Sequence, residues 1–304
     1  MAPIQALGRI LDEVGRFAFW ARCRLDHLFL RAVYRACLKR EPDEVGMQYY
    51  LQALQRKSMS RIGVLQSVLR SSEFRSVRGL PVHPLNALHQ ARMMVVQRLL
   101  PPAQIIVDLG GAARDHPEGA LLAMGYPYRP HRVIVVDLPP ERRIGTGWEH
   151  TQSLITADGV HISYHYGSMS DLSFRMGGSV DLVWAGQSIE HVTEAEAEVT
   201  CREAFRVLRP GGYFCLDTPN AVLTRLQSPK EMIHPEHKKE YCVHEMVALL
   251  ERVGFRVLEG KGICPMPHSL QTGIFDQAEI TRNIGFSDRP EEGYLFFLKA
   301  IKPG

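Results

Sequence analysis

The chain has 304 residues and a mass of 34.3 kDa, more than one typical compact domain, so we expect a large domain and a smaller one. Hydrophobic residues make up 45% of it and charged residues 23%, a globular balance that excludes wholesale disorder. Charges interrupt every apolar run well before the roughly 20 residues that a membrane-spanning helix needs. Asp12 and Glu13 stand where a signal peptide requires an apolar core, so we expect a cytoplasmic protein.

Charge is distributed unevenly along the chain, although its net value is only +3. Residues 1–80 contain 14 lysines and arginines against 7 acids, whereas the remainder contains 22 against 26. The basic front would suit an acidic partner enzyme or the anionic inner face of a membrane. Basic residues on a helical domain are, however, more often its solvated face.

The six cysteines include no C-x-x-C pair. This spacing argues against both a disulfide framework and a thiolate zinc site. We therefore expect the cysteines to be reduced and mostly buried.

The front of the chain shows the periodicity of helices. Apolar side chains recur at every third or fourth position, which predicts a helix over residues 4–38, broken near Arg24. The same periodicity continues to Val77, with Ser60 capping a later helix. We predict a small, entirely helical unit.

A short segment at residues 78–84 combines one glycine with two prolines, as linkers do. We place the domain boundary within it. The chain then consists of a helical domain, residues 1–80, and a second domain, residues 81–304.

In the second domain, short apolar runs alternate with helical stretches. Four runs are apolar enough for strands that are buried on both faces of a parallel sheet, at residues 105–109, 133–137, 181–185 and 213–217. Helices are predicted at residues 85–100, 116–124, 193–208 and 243–253, and two more strands at residues 255–258 and 294–298. The alternation predicts an α/β domain whose ligands bind at the carboxyl ends of the strands.

A loop of small residues follows the first predicted strand. Gly110 and Gly111 would let the backbone turn tightly, and a following helix N-terminus would offer N–H donors to an anionic group. Asp137 ends the next strand, where a carboxylate either accepts both hydroxyl hydrogens of a ribose or caps its own turn. Together these residues indicate a nucleoside cofactor without selecting one, since NAD enzymes share the arrangement.

Three later segments carry a resemblance to a known family: DLVWAGQSIEHV at residues 181–192, VLRPGGYF at residues 207–214 and VGF at residues 253–255. They are similar to class I S-adenosylmethionine-dependent methyltransferases, in which an L-R-P-G-G turn leads into the fifth strand. The resemblance runs from about Ile105 to Ala300. It implies S-adenosyl-L-methionine as cofactor and a Rossmann-like seven-stranded sheet of order 3-2-1-4-5-7-6, with the last strand antiparallel.

The resemblance assigns cofactor-binding residues position by position. Asp108 and Gly110 match the first motif, which holds the methionine part of the cofactor, and Asp137 matches the ribose-binding acid. The complete predicted cofactor set is Asp108, Gly110, Gly111, Arg114, Asp137, Ser168, Met169, Asp171 and Gln187.

This sequence departs from the family at two positions. The usual adenine-binding acid aligns with Ser168, so either Ser168 or Asp171 must serve. Arg114 stands where the family keeps a glycine. It either pairs with the cofactor carboxylate or forms an ion pair on its own helix, with Asp115 or Glu118.

Four residues are candidates for the chemistry. Methyl transfer is an in-line displacement, and a hydroxyl acceptor must also lose a proton, which histidine is well suited to accept. His191 follows the fourth strand beside Glu190 and either takes this proton or only packs against the cofactor. His234 and His237 belong either to an acceptor-side loop after the fifth strand or to an ordinary surface loop. A metal site of histidine and glutamate ligands is open in principle here, but the spacing fits no compact ligand pattern, so we assign no metal ligands.

Two features point towards a glycan. D-T-P-N at residues 217–220 and H-P-E-H at residues 234–237 resemble a subgroup from bacterial polysaccharide biosynthesis, in which both segments face the acceptor. Residues 27–78 resemble a small helical domain of unknown function from bacterial surface and glycan-processing proteins. Its aromatic residues either stack on sugar rings or, as is commoner at helical spacing, form a core. Docking to a partner enzyme and homodimerisation are its other candidate roles.

The resulting hypothesis is a cytoplasmic methyltransferase that O-methylates a sugar hydroxyl of a bacterial glycan or glycan precursor. Within this class, a quinone-like phenol or an amine is the alternative acceptor. A catalytically silent cofactor-binding scaffold stays open because of Arg114 and Ser168, while the L-R-P-G-G turn disfavours a nicotinamide dehydrogenase. We expect no nucleic-acid acceptor, because the sequence lacks an aromatic and basic groove pattern.

Overall fold

The computed structural model describes residues 25–55, 59–77, 82–143 and 151–304. The chain divides into two units, residues 1–82 and residues 83–304. The predicted helical stretch before Arg24 and the linker residues 78–81 lie outside the described ranges.

The first unit is built from helices. Residues 25–33 are helical and continue into a π-helical segment, Tyr34–Leu38. Three helices follow: α1 (Glu44–Gln55), α2 (Arg61–Arg70) and α3 (Ser72–Val77). Ser60 caps α2 as predicted, because its hydroxyl accepts a hydrogen bond from the Gly63 amide at 3.1 Å.

Aromatic side chains pack inside this helical unit. Tyr34 is buried, and its ring meets that of Tyr50 edge to face with 6.4 Å between the centroids. Phe74 packs against the same cluster, and the Tyr50 hydroxyl lies 3.0 Å from that of Ser67. These aromatics stabilise the helical core, the commoner of the two roles considered for them.

The described part of the second unit contains one nine-stranded sheet in the order β3-β4-β2-β1-β5-β6-β9-β7-β8. The strands are β1 (Ile105–Leu109), β2 (Arg132–Asp137), β3 (Ser153–Ile155), β4 (His161–Tyr166), β5 (Val180–Gly186), β6 (Leu208–Pro219), β7 (Arg256–Pro265), β8 (Phe286–Ser287) and β9 (Gly293–Ile301). Strands β4, β2, β1, β5 and β6 run parallel, whereas β9 is antiparallel to both β6 and β7.

The predicted number of seven strands is therefore wrong. Short strands β3 and β8 pair antiparallel with β4 and β7, which adds one strand at each edge of the sheet. Such pairing occupies backbone groups that the longer edge strands would otherwise leave open. The seven strands between them lie in the order β4-β2-β1-β5-β6-β9-β7.

Helices accompany this sheet along the chain. The described helices of the second unit are α4 (Pro84–Leu99), α5 (Ala120–Ala123), α6 (Glu194–Val207), α7 (Ala221–Gln227), α8 (Val243–Val253), α9 (Pro267–Thr272) and α10 (Ala278–Arg282). The predicted helix over residues 116–124 is too long, since only the four residues of α5 within it are helical. Gly119 has a φ of +89°, which is incompatible with a helix, so the preceding residues form a loop.

Burial follows the apolar pattern of the central strands. Val107, Val135 and Val183 on β1, β2 and β5 are completely buried, as parallel strands covered on both faces require. Thr193 and Glu196 form a capping box that starts α6 directly after the turn that follows β5. The carboxyl ends of the parallel strands consequently meet at one edge of the sheet.

Five of the cysteines lie in the described ranges, and all five are free and buried: Cys37, Cys201, Cys215, Cys242 and Cys264. Burial raises the pKa of the Cys201 thiol to about 12, as expected for a thiol without a redox role. Within the described residues, no helix combines the length and apolarity that crossing a membrane requires.

Candidate functional site

The loop after β1 turns on a glycine. Gly110 has a φ of +71°, a left-handed conformation that other residues rarely adopt. Its amide donates a hydrogen bond to the carbonyl of Val136 at 2.8 Å, which ties the loop to β2. A Cβ atom at position 110 would lie 2.7 Å from Cβ of Ser188, so the close approach of these two segments requires glycine.

Asp108 lies beneath this loop. Its buried carboxyl accepts a hydrogen bond from the Leu121 amide at 3.3 Å, and a Cβ atom on Gly111 would lie 2.1 Å from it. Burial raises the pKa of Asp108 to about 7, while the hydrogen bond from Leu121 acts in the opposite direction. The Asp108 carboxyl therefore packs directly against Gly111 and holds the loop on the side away from the solvent.

Asp137 connects this loop to the end of β2. Its Oδ2 accepts a hydrogen bond from the Ala112 amide at 3.0 Å, and its Oδ1 accepts one from the Leu138 amide at 2.7 Å. The guanidinium of Arg143 approaches Oδ1 to 3.4 Å. Burial raises the pKa of Asp137, although Arg143 and the two amides oppose the shift. Asp137 thus caps its own turn and also faces the ligand side of the sheet.

A cavity of about 560 Å³ opens at the carboxyl ends of β1, β2 and β5. Small-molecule sites commonly fall between roughly 300 and 1,000 Å³. The predicted site residues that line it are Gly110, Asp137, Ser168, Met169, Gln187 and His191. The predicted residues outside its lining are Asp108, Gly111, Arg114, Asp171, Glu190, His234 and His237.

Two buried polar groups point to a ligand in this cavity. Gln187 and Ser188 both line it, immediately after β5. The Gln187 Nε2 and the Ser188 Oγ are buried without a hydrogen-bond partner among the described residues. Gln187 also has a φ of +54°, and its amide donates a hydrogen bond to the carbonyl of Asp217 at 2.9 Å. A strained backbone and unsatisfied polar atoms together mark a place where a bound molecule supplies the missing partners.

The turn after β4 brings only one of the two candidates for adenine binding, Ser168 and Asp171, to the cavity. Ser168 lines the cavity, and its hydroxyl lies 2.7 Å from that of Ser170. Asp171 is exposed and accepts a hydrogen bond from the Ser173 amide at 3.0 Å. Hydrogen bonding by the side chain and then by the amide of Ser173 lowers the pKa of Asp171. Asp171 therefore caps the following turn, and Ser168 is the candidate for contact with a ligand.

Arg114 lies in the exposed loop ahead of α5. The expectation that it shares a helix with Asp115 and Glu118 is wrong, because these residues precede the helix. Within the same loop, a carboxylate oxygen of Glu118 lies 3.2 Å from Nδ1 of His116.

Sequence reasoning missed several cationic and polar residues of the cavity. They are Arg142, Arg143, Ser188 and Lys238. Arg143 follows Asp137 by six positions, and Ser188 follows Gln187 directly, so proximity to a predicted residue was the only available signal. Lys238 belongs to the histidine-rich loop, which the fold carries back to the cavity.

Glu190 lies in a short 3₁₀ turn after β5 and is completely buried. Its Oε2 accepts a hydrogen bond from the Thr218 hydroxyl at 2.9 Å, whereas its Oε1 has no partner within the described residues. Burial raises the pKa of Glu190 to about 7, against the effect of the Thr218 hydrogen bond. The backbone carbonyl of Glu190 accepts a hydrogen bond from the Lys238 amide at 2.8 Å, which anchors the histidine-rich loop here.

The three predicted histidines form one cluster. The ring centroid of His191 lies 6.1 Å from that of His234 and 5.0 Å from that of His237, and the latter two are 5.3 Å apart. Burial lowers the pKa of His191, and His237 reinforces this effect. His191 also lines the cavity, so the cluster adjoins it directly.

Glu240 holds the ring of His237. Its Oε1 lies 2.7 Å from Nδ1 of His237 and accepts a hydrogen bond from the Ile233 amide at 3.1 Å. Its Oε2 accepts a hydrogen bond from the Thr224 hydroxyl. Burial opposes ionisation of Glu240, but these hydrogen bonds outweigh it and lower its pKa. The ionised carboxylate thus fixes the orientation of the imidazole.

The D-T-P-N segment does not face an acceptor, and this expectation is wrong. Asp217, Thr218 and Asn220 are buried in the interior. Asp217 pairs with Arg92 at 2.5 Å, and the Asn220 side chain donates hydrogen bonds to two backbone carbonyls near the start of β9. Within this segment, the Thr218 hydroxyl donates a hydrogen bond to Glu190, and residues 217–219 form the end of strand β6.

Two family matches divide the chain along the same lines as its fold. Residues 118–216 match the family described as Methyltransferase domain, and residues 14–77 match the Domain of unknown function (DUF4214). The first match includes Asp137, Ser168 and His191 from the cavity. The chain contains a class I S-adenosylmethionine-dependent methyltransferase domain.

Known proteins are similar to parts of this methyltransferase domain. A protein of Mycolicibacterium smegmatis named "Probable S-adenosylmethionine-dependent methyltransferase" is 34% identical over 38% of this chain and 43% of its own length. The ubiquinone biosynthesis O-methyltransferase of Xanthomonas axonopodis pv. citri is 30% identical over 46% of this chain and 54% of its own length. The chain thus spans about half the length of these curated relatives. The solved structure of an S-adenosylmethionine-dependent methyltransferase from Mesorhizobium loti is 16% identical, with 72% of this chain and 100% of that one covered and a TM-score of 0.43.

The methyltransferase domain offers a fitting site for S-adenosylmethionine. Gly110 lines the cavity, and Gln187 and Ser188 each present a buried polar atom that has no hydrogen-bond partner among the described residues. Asp137 is an acceptor suited to hydroxyl groups, and the cavity volume lies in the range of small-molecule sites. The cofactor supplies an electrophilic methyl group on sulfur.

Proposed function

We propose that this chain transfers the methyl group of S-adenosylmethionine to an oxygen atom of a hydroxyl-bearing acceptor. One observation carries the proposal: His191 belongs both to the cofactor-sized cavity and to a cluster of three histidines. The donor site and a set of proton-accepting groups are therefore adjacent.

Several residues of the cavity would bind different parts of the cofactor. Asp137 would accept the ribose hydroxyls, because its carboxylate lies at the end of β2 and lines the cavity. Ser168 and Met169 would contact the adenine, and Gln187 would bind a polar group of the cofactor with its Nε2, which no described residue satisfies. Asp108 and Gly111 would hold the loop in the shape that the cofactor requires.

The histidine cluster would serve the acceptor. In the displacement, the acceptor oxygen forms a bond to the methyl carbon while the carbon–sulfur bond breaks, and the hydroxyl proton passes to a base. An oriented imidazole is suited to that transfer at neutral pH. The Glu240–His237 pair provides such an orientation, and the turn at Glu190 positions His191 beside it.

We favour a small hydroxyl compound as the acceptor. A relative of this domain carries the name ubiquinone biosynthesis O-methyltransferase, which supports oxygen as the accepting atom. A sugar hydroxyl of a bacterial glycan precursor is the second candidate, and the H-P-E-H loop beside the cavity favours it. The segment from Asp217 to Asn220 is buried in the interior and therefore gives no support to a glycan acceptor.

Turnover of S-adenosylmethionine labelled in its methyl group tests the proposal. We would offer a panel of phenols and catechols and a panel of nucleotide-linked sugars, and measure labelled product. We expect transfer to a hydroxyl compound, and a loss of about 100-fold or more in His237→Gln, since general-base catalysis contributes roughly 10² to 10⁴. His131→Asn, which changes a histidine outside the cavity lining, serves as the matched control.

Two results would contradict the proposal. Binding of S-adenosylhomocysteine without transfer to any acceptor of either panel would favour a silent cofactor-binding scaffold. Stabilisation against heat by NAD, but not by S-adenosylmethionine, would favour a nicotinamide enzyme.

A further inference from the structure

Three side chains of the histidine cluster converge in a way that their sequence spacing does not reveal. Glu190, His191 and His237 each place one nitrogen or oxygen atom within 4.8 Å of the other two. A tetrahedral zinc ion with ligands at about 2.0 to 2.2 Å separates its ligand atoms by about 3.4 Å, so modest rotations would close the site.

Glu190 supplies the strongest indication of a missing partner. Its side chain is completely buried, and Thr218 satisfies only Oε2. Its Oε1 has no hydrogen-bond partner among the described residues. A buried carboxylate oxygen without a partner is costly, and a metal ion would compensate it.

The surroundings of His237 orient it as a metal ligand. Glu240 accepts the hydrogen bond of Nδ1–H at 2.7 Å, so Nε2 carries the free lone pair. Glu240 is itself held by the Ile233 amide and the Thr224 hydroxyl. A histidine whose other nitrogen donates to a carboxylate is the usual arrangement around protein-bound metals.

We propose that Glu190, His191 and His237 bind a divalent transition-metal ion of the zinc class. Two imidazoles and one carboxylate suit zinc and its neighbours better than magnesium, which prefers oxygen ligands. Three protein ligands leave one position open. Because His191 lines the cofactor cavity, we infer that this position faces the acceptor.

The role of the ion in methyl transfer rests on the proposed function, whereas binding of the ion does not. The ion would take the acceptor oxygen as its fourth ligand and lower the pKa of the hydroxyl. Because Nε2 of His237 would then bind the ion and could not also act as the base, the released proton would pass to His234, the third ring of the cluster, or to water. The oxygen would then attack the methyl carbon, and the electron pair of the broken carbon–sulfur bond would stay on sulfur.

The test uses the full chain without a histidine tag and two metal probes. Zn²⁺ titration by calorimetry gives affinity and stoichiometry, and the visible absorption of Co²⁺ reports coordination number. We expect one ion per chain and a four- or five-coordinate Co²⁺ spectrum. Glu190→Gln and His237→Ala should each weaken binding at least tenfold, and Glu240→Gln should weaken it between tenfold and 100-fold.

His234→Ala is the matched control, because it removes the neighbouring imidazole that is not among the three ligands. This variant should leave the affinity for Zn²⁺ and the Co²⁺ spectrum unchanged. Absence of a stoichiometric site in the wild type would overturn the proposal. So would unchanged binding in both Glu190→Gln and His237→Ala, or an equal loss in His234→Ala, which would indicate a nonspecific histidine cluster.

The same protein separates the two proposals. Binding of Zn²⁺ without methyl transfer to any acceptor would retain the metal site and refute the proposed function. Methyl transfer that persists unchanged after complete removal of the ion would overturn the role of the ion in catalysis.

Discussion

At the scale of single residues, the glycines of the first loop are constrained by contacts as well as by backbone conformation. Gly110 and Gly178 share nearly the same φ, +71° and +69°. An added Cβ atom would meet Ser188 at 2.7 Å in the first case and nothing within 4 Å in the second. Comparing alanine variants at the two positions therefore distinguishes the effect of backbone strain, which both share, from the effect of the steric clash, which only position 110 has.

We expect Gly110→Ala to lower both stability and cofactor affinity, and Gly178→Ala to lower stability alone. Strain in the left-handed region costs roughly 1 to 2 kcal/mol in each variant. The clash with Ser188 adds to this cost only at position 110. Denaturant unfolding and calorimetric titration with S-adenosylhomocysteine measure the two effects. Equal cofactor affinity in the two variants would show that the loop does not contact the cofactor.

The buried carboxyl of Asp108 makes stability depend on pH. Its pKa is raised to about 7, so the folded chain binds a proton that the unfolded chain releases near pH 3.8. The stabilisation by this proton is complete below pH 3.8 and is lost as the pH rises to about 7. Asp108→Asn cannot ionise. We therefore expect its stability relative to the wild type to increase from pH 5 to pH 8.

Asp181→Asn provides the contrast for this measurement. Burial opposes ionisation of Asp181, but hydrogen bonds from Arg209 and two backbone amides lower its pKa. Asp181 is thus ionised throughout the range from pH 5 to pH 8. Its replacement should therefore lower the free energy of unfolding by the same amount at pH 5 and at pH 8. If the stability difference between Asp108→Asn and the wild type is also independent of pH in this range, the Asp108 carboxyl is charged in the folded protein.

At the scale of elements, the end of β5 holds a conformation that favours ligand binding over stability. Gln187 has a φ of +54° and a buried amide nitrogen without a partner in the described chain. Both features cost folding free energy, of order 1 to 3 kcal/mol each. Such a cost is expected where a bound molecule satisfies the group.

We expect Gln187→Gly to raise the melting temperature while weakening the binding of S-adenosylhomocysteine. Glycine adopts the left-handed conformation without strain and removes the unpaired amide. Lys39→Gly is the matched control, because Lys39 has a φ of +59° in the helical unit and is exposed. It should gain stability without any change in binding. A Gln187→Gly variant that binds the ligand as tightly as the wild type would exclude a cofactor contact by this side chain.

Elements with a continuous apolar pattern were predictable from the sequence, and those without one were not. Runs such as Val133 to Val136 mark buried central strands, because both faces of a parallel strand are covered. Strand β4 reads His-Ile-Ser-Tyr-His-Tyr and escaped prediction, since Ile162 is its only buried residue and the strand has no apolar run. Edge strands β3 and β8 have three and two residues and leave hardly any pattern.

The site shows the same division. Asp137 was predictable because its position at the end of a strand is visible in the sequence. The convergence of Glu190 and His237 was not, because 46 residues separate ligands that the fold brings together. The burial of Asp217 was likewise invisible, since its partner Arg92 lies on α4.

At the scale of the whole molecule, the chain joins a helical unit of unassigned function to a methyltransferase domain. We propose that the cavity at the carboxyl ends of β1, β2 and β5 binds S-adenosylmethionine through Asp137. Asp171 offers a matched comparison, because it is an acid from the same predicted cofactor set that lies outside the cavity lining. Replacement of Asp137 should therefore weaken cofactor binding, whereas replacement of Asp171 should not.

The most direct test is calorimetric titration of the full chain with S-adenosylhomocysteine, for the wild type, Asp137→Ala and Asp171→Ala. We expect binding of one ligand per chain in the wild type, a loss of at least tenfold in affinity in Asp137→Ala, and unchanged affinity in Asp171→Ala. A wild type that does not bind, or an Asp137→Ala variant that binds as tightly as the wild type, would contradict the assignment of this cavity to the cofactor.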